Sequence, residues 1–449
     1  MPVVTSFRAL FAALLRAWGV PHTPKRRDAS TQVPWAMPAC RMAPIAALLL
    51  SACAVIMSAP ASAAPRKSAG TTADKADKSD KSGLPTYANR SDAQALAEQI
   101  ATQFDLDAGW TQRAIGQARQ LPVIQRLVLP PPAGTPKNWA AYRSRFIEPR
   151  RIQAGVRFWR SNAPWLERAE QRFGVPAEMI VGIIGVETLY GQQLGGFRLL
   201  DALATLAIDF PAEHPRAAER TAFFRGELGH FLQQQHRSGS DPASPRGSYA
   251  GASGLPQFMP SSRTRFAIDF DGDGKINLGS SADAIGSVAN YFKAFGWQSG
   301  MPTHYALRFD EARLDKEALL LPDILPTFSA EQMAQRGVVL DDAGTAHAGP
   351  LALIELQNGA DAPSYVAGTE NFYVVTRYNW SSYYAMAVIE LGREVREALK
   401  QAPVAEETAT NQATPKASAK ARPKARERSP QAQSQKPRVK PSQAPKSRG

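Results

Sequence analysis

Residues 175–191 read VPAEMIVGIIGVETLYG, and no other stretch limits what this chain can fold into so sharply. Pro176 stands where a first-turn proline is tolerated. Beyond it, Ile180, Ile183, Ile184 and Val186 make a helix that is apolar on nearly every side. Such a helix is not a surface element and must be enclosed by others. Glu187 lies on the same face as Ile180 and Ile184, in helical register with both. An ionisable carboxyl placed there costs several kcal/mol unless it is paired or stays protonated. A carboxylic acid held protonated near neutral pH is what proton donation to a glycosidic oxygen requires. A helix-terminal glutamate bonded to a loop fits the same spacing, so periodicity alone leaves both roles open.

Enclosing that helix takes chain. The 449 residues, 44% apolar and 21% charged, can supply a sizeable core in two or three domains. The net charge of +13 suggests an anionic partner until it is divided along the sequence. Residues 401–449 hold 11 Lys and Arg against 3 acids, and residues 1–64 hold 6 against one. The stretch between is electrically balanced, so a nucleic-acid partner is not expected, and the protein reads as a monomer. Residues 402–449 mix Pro, Ala, Ser, Gln, Lys and Arg with little to bury and are expected to stay disordered. They are either a solvated appendage or an electrostatic tether to an anionic polymer or lipid headgroups.

The leader explains the other charge. Residues 43–59 are apolar, follow Arg41 and precede small residues, which are the parts of a secretory signal. The run is short and rich in Ala and Ser for a membrane span. Two exits compete: Ala61-Ser62-Ala63 suits an ordinary signal peptidase, and Leu50-Ser51-Ala52-Cys53 resembles a bacterial lipobox that would lipidate Cys53. Met37 offers a second start. Cys40 and Cys53 are the only cysteines, so the mature chain has no disulfide and no thiolate zinc site. The six histidines show no H-x-x-x-H or H-E-x-x-H spacing, which argues against histidine metallohydrolase chemistry.

Between leader and tail the pattern is α+β, mainly α. Residues 65–83 are a low-complexity spacer. Residues 84–173 read as helices, one from Trp110 to Leu121 and another from Trp139 towards Arg172 that Pro149 and Pro164 break. Three or four more helices are expected in 176–300, separated by glycine-rich loops. Residues 301–400 carry β-like runs at 305–309, 351–356, 365–367 and 372–376, a helix at 330–336 and an amphipathic closing helix at 383–399.

The motifs are more specific than the pattern. GVETLYG, RLLDALATLAIDFP, FFRGELGHFL, SYAGASGLPQFMPSS, FDGDGKINL, DAIGSVANYFKAFGW and NFYVVTRYNWSSYYAMAV occur in order over about residues 90–395. Together they resemble the lytic murein transglycosylase B family of Gram-negative bacteria. The resemblance implies a lysozyme-like catalytic core at 174–300, with an additional helical region before it and a small β-containing region after it. It implies a location in the periplasm, with attachment to the outer membrane if Cys53 is lipidated, and peptidoglycan glycan strands as partner. Glu187 matches the family's single catalytic acid. That acid cleaves the MurNAc–GlcNAc bond with formation of a 1,6-anhydromuramoyl end and needs no second carboxylate. Asp201 and Asp209, the nearest downstream acids, read as capping or surface residues. Two other readings remain, a non-catalytic peptidoglycan-binding scaffold and a muramidase that uses water.

By the same resemblance, Ser248 and Gln257 match substrate-contacting positions, and Tyr291 an aromatic of the cleft. Tyr378, Asn379 and Tyr384 match the loop and helix that close over the sugar. Ser253 and Pro256 stand where the family commonly has a methionine and a glycine. A further motif stands on spacing: Asp269, Asp271 and Asp273 occupy positions 1, 3 and 5 of an EF-hand loop, with Gly274 at the sharp turn and the Lys275 carbonyl at position 7. Position 12 is Ser280, where a bidentate glutamate belongs. Asp283, three residues on, matches the acid the family uses instead, and a structural Ca²⁺ is the expected cofactor, with no organic one.

Overall fold

The structure is a computed structural model that describes residues 83–132 and 134–401. The leader with Cys53, residues 65–82 and the tail from 402 lie outside the described residues. Six helices lead in: α1 (Ser91–Phe104), α2 (Ala108–Gly116), α3 (Pro122–Leu127), α4 (Trp139–Arg143), α5 (Pro149–Ser161) and α6 (Ala163–Phe173). The expected Trp110–Leu121 helix stops at Gly116 and the chain restarts at Pro122. Pro149 and Pro164 likewise stand in first turns rather than within a helix. A proline there gives up an N–H that has no intrahelical partner in any case.

The central segment holds α7 (Ala177–Thr188), β1 (Phe197–Arg198), α8 (Leu199–Ile208), α9 (Ala217–Ser238), β2 (Arg246–Gly247), α10 (Pro260–Phe266) and α11 (Ser281–Ala294). That is five helices where three or four were expected. The last segment runs β3 (His304–Tyr305), β4 (Leu307–Phe309), α12 (Lys316–Leu320), α13 (Ala330–Gln335), β5 (Val338–Leu340), α14 (Asp342–Thr345), β6 (Ala352–Asn358), β7 (Asp361–Gly368), α15 (Glu370–Asn379) and α16 (Ser382–Gln401). All strand pairs are antiparallel, in a β3-β7-β6 sheet and two strand pairs, β1-β2 and β4-β5. Residues 372–376 are not a strand. Thr369 caps α15 by accepting from the N–H groups of Asn371 and Phe372. Phe372, Val374 and Val375 bury on that helix, so packing overrides their β propensity.

The apolar residues form three clusters. The first surrounds α7 with side chains of α6, α11, α15 and α16, and Ile180, Val181, Ile183 and Ile184 are fully buried in it. The second joins α1–α3 to α8 and α9 across the sequence. The third fills the small β region. The enclosure predicted for the apolar helix is thus met, and α16 is the helix that lies closest along it. Gly182 and Gly392 permit that approach: a Cβ on Gly182 would fall on the Val388 carbonyl oxygen, and one on Gly392 on that of Glu178.

Gly182→Ala is therefore expected to force the two helices apart. Such overpacking costs about 1–3 kcal/mol, and urea denaturation should read it as a lower midpoint with an unchanged slope.

Candidate active site

Glu187 sits one residue before the end of α7, and the chain turns sharply beyond it. Leu189, Tyr190 and Gly191 have φ of 49°, 56° and 87°, three successive residues in the left-handed region. Thr188 holds the turn: its hydroxyl reaches the carbonyls of Ile184 and Leu255, both at 3.1 Å, and accepts from the N–H of Gly191. The helix end is in this way tied to the glycine-rich loop at residues 247–262.

From the other side, the Tyr384 hydroxyl of α16 donates to Glu187 Oε1 at 2.5 Å. Among the described residues the carboxyl has no other hydrogen-bond partner and no ion-pair partner. Burial pushes its pKa from 4.5 up to about 7, and the Tyr384 hydrogen bond acts in the opposite direction. Its place at a helix C-terminus has the same sign as burial, since that end of the dipole is negative. At neutral pH the group is therefore poised between acid and conjugate base.

Glu187 opens into a cleft lined also by Phe223, Phe224, Ala250, Ala252, Gln257, Met259, Tyr378, Asn379 and Trp380. It is the only carboxyl group among the described lining residues. Asp201 and Asp209 are engaged elsewhere. Asp201 is buried, accepts from the Arg119 N–H and faces Arg198. Both oxygens of Asp209 accept from Arg90 Nη1, and one also accepts from the Tyr87 hydroxyl.

The structure brings Gln257, Tyr378, Asn379 and Tyr384 to Glu187 and sets two expected residues behind it. Gln257, with φ 47°, lines the cleft while its amide donates to the Gly254 carbonyl at 2.9 Å. The Tyr378 hydroxyl donates to the Pro256 carbonyl at 2.7 Å, joining α15 to the glycine-rich loop, and its ring stacks on Tyr384. Tyr291 is buried beneath, with its hydroxyl on the Arg377 carbonyl and its ring against Tyr378 and Phe258. Ser248 does not line the cleft; its backbone and hydroxyl close a turn with Ala252.

Three aromatic cleft residues, Phe223, Phe224 and Trp380, escaped the sequence reading, and two of them face outward. Phe223 and Trp380 are 37% and 38% exposed, although both are large and apolar. Trp380 lies 3.6 Å from the Arg377 guanidinium, whose other face meets Tyr373. Both residues stand inside the motifs FFRGELGHFL and NFYVVTRYNWSSYYAMAV, but nothing in a linear pattern says which aromatic turns outward.

The acidic loop is formed as its spacing predicts. Carboxylate oxygens of Asp269, Asp271 and Asp273 lie within 4.8 Å of one another. Asp269 accepts from the N–H groups of Gly272, Asp273 and Gly274, so the loop wraps its first acid. Asp283 lies beside this group, close enough for its charge to act on Asp271. Buried, it accepts from Phe270 N–H and Asn277 N–H, both at 2.7 Å, and clamps the two flanks of the loop.

The sequence pattern of the transglycosylase SLT domain matches residues 88–393. Over 326 residues the chain is 40% identical to membrane-bound lytic murein transglycosylase B of Escherichia coli strain K12, a match that covers 70% of this chain and 85% of that protein. The Escherichia coli lytic transglycosylase SLT35, solved in complexes with bulgecin A and with calcium, superposes with a TM-score of 0.62 at 39% identity. That match covers 71% of this chain and 97% of SLT35. SltB3 of Pseudomonas aeruginosa, in complex with NAG-anhNAM-pentapeptide, gives 0.56 at 28% identity, over 68% of this chain and 78% of that one.

The raised pKa of Glu187 has a consequence for stability. Between pH 4.5 and about 7 the folded chain keeps a proton that the unfolded chain releases, so this group's contribution falls as pH rises across that window and then levels off. The full loss is about 3 kcal/mol. Glu187→Gln should accordingly raise the melting temperature at pH 8 and change it little at pH 4.5; equal shifts at both pH values would contradict the assignment.

Proposed function

The chain belongs to the transglycosylase SLT domain family and is a lytic murein transglycosylase, and from that premise we propose that Glu187 alone carries the chemistry, first as acid and then as base. What carries the reading is a desolvated carboxyl with a raised pKa, opening into a cleft whose other described lining residues carry none. A protonated Glu187 gives its proton to the oxygen linking MurNAc to GlcNAc, and the bond from that oxygen to the MurNAc anomeric carbon breaks. The GlcNAc side leaves with a free hydroxyl. Charge developing on the anomeric carbon is met by the sugar's own N-acetyl group. The MurNAc 6-hydroxyl then bonds to the anomeric carbon and returns its proton to Glu187, now the base. No water is consumed, the acid is regenerated, and the product is a 1,6-anhydromuramoyl end.

A hydrolase of the common kind needs a second carboxylate, to activate water or to act as nucleophile. The cleft's remaining described lining offers none. Tyr384 is the residue that sets the balance of the acid, since its hydroxyl stabilises the carboxylate over the carboxylic acid. Gln257 and Asn379 supply amides for sugar hydroxyls, and Tyr378, Phe223 and Trp380 supply ring faces. Ser248 and Tyr291 act from behind, by shaping the glycine-rich loop and seating Tyr378.

A calcium ion fits the acidic loop. Three carboxylates already converge without salt-bridge partners among the described residues, and after desolvation the charges of Asp283, Asp273 and Asp269 help hold the Asp271 carboxyl above its usual pKa. Asp269, Asp271, Asp273 and the Lys275 carbonyl would hold the ion, with Asp283, whose oxygens bond the loop backbone, fixing their spacing. The ion would neutralise the cluster and stiffen the link between α10 and α11. Cys53, which lies outside the described residues, is the residue that would carry a lipid and hold the enzyme to the outer membrane from the periplasm. Among the described residues no helix is long and apolar enough to cross a membrane.

Digestion of purified sacculi followed by mass spectrometry should yield anhydro-ended muropeptides, with rates falling as pH rises through about 7. Glu187→Gln should lose at least about a hundredfold in rate, and Tyr384→Phe should move the alkaline limb upward; reducing ends in place of anhydro ends would make the enzyme a hydrolase. Chelation should lower the melting temperature, with recovery on adding Ca²⁺, and the Asp271→Ala/Asp273→Ala variant should show neither response.

A further inference from the structure

A second cleft, larger than the catalytic one, opens between α2, the loop after it and the β1-β2 pair. Of its eleven lining residues four are arginines, Arg113, Arg119, Arg198 and Arg246, and Asp241 is the only acid. Asp241 is occupied with its own turn, accepting from the Ala243 N–H. Arg198 and Arg246 are directly opposite each other in the β1-β2 register. Like charges so placed destabilise a strand pair, and buried Asp201, 3.5 Å from Arg198 and within electrostatic reach of Arg119 and Arg246, offsets only part of this charge. A concave site that keeps four guanidinium groups together, two of them in opposed register, is built to receive an anion with several oxygens.

Its position indicates which anion. Arg246 leads directly into the glycine-rich loop whose Ala250, Ala252 and Gln257 line the catalytic cleft. Six residues separate Arg246 from Ala252, so these points of the two clefts lie no more than about 20 Å apart. The peptides borne on the MurNAc sugars of peptidoglycan carry free carboxylates, and a five-residue peptide spans about 17 Å. We propose that the arginine cleft binds the carboxylates of a stem peptide, so that a peptidoglycan strand is gripped at its peptide as well as at its sugars. This rests on the transglycosylase reading above. The grip positions the substrate and takes no part in bond breaking.

The test compares glycan strands that carry stem peptides with strands stripped of them by an amidase. For the Arg113→Ala/Arg246→Ala variant, which removes two exposed side chains, KM on peptide-bearing strands should rise about tenfold with kcat retained. KM on stripped strands should match that of the unaltered chain. Independently of turnover, a synthetic stem pentapeptide titrated into the Glu187→Gln protein should bind, and should release on adding the two arginine substitutions or on raising salt. An equal KM rise on both substrates, or no pentapeptide binding, overturns the proposal. So does binding of phosphatidylglycerol vesicles in place of the peptide. A chain that binds the pentapeptide yet cuts neither substrate sustains the cleft and sinks the catalytic reading instead.

Discussion

The contact between α7 and α16 is the constraint from which the site follows. Two glycines, one on each helix, let the backbones meet closely enough that Tyr384 reaches a carboxyl on the neighbouring helix. Separating them by the width of a methyl group would leave the apolar ring around α7 incomplete. It would also admit water to Glu187, and desolvation of that group would end. Packing and acidity are therefore set by the same interface.

Around that interface the fold arranges a chain of aromatic supports. Tyr384 stacks on Tyr378, Tyr378 lies against Tyr291 and Phe258, and the tyrosine hydroxyls end on backbone carbonyls or on Glu187. Each ring is fixed at its polar tip as well as by its faces, which costs little conformational freedom for the position gained. The result is a cleft with one acid, a few amides and ring faces, suited to a neutral polymer of sugars. The charged groups stand outside it, in the loop of aspartates and in the arginine cleft.

Much of this was legible in the residues. An all-apolar helix ending in GVET announced its own burial and a carboxyl on its apolar face, while the role of that carboxyl stayed open until the longer motifs were read with it. The spacing of Asp269, Asp271 and Asp273 likewise announced a loop that the structure forms. What was not legible depended on distant chain. Residues 372–376 look like a strand because Val and Thr favour one, and only the Thr369 cap and the core beneath decide for helix. The joining of α1–α3 to α8 and α9 in one core cannot be read along the sequence, nor could the outward turn of Phe223 and Trp380. Asp283 illustrates the same limit: spacing alone did not place it, and its bonds to the N–H groups of Phe270 and Asn277 come from the folded loop.

The hydrogen bond between Glu187 and Tyr384 spans 197 residues of chain. Contacts of such sequence separation form late, since the closure entropy must be met before they stabilise anything. Until α16 docks, Glu187 has neither its tyrosine nor its dry surroundings, and its carboxyl is an ordinary ionised one. An unfinished or clipped chain is then no wall-cutting enzyme, however much of the cleft it has assembled.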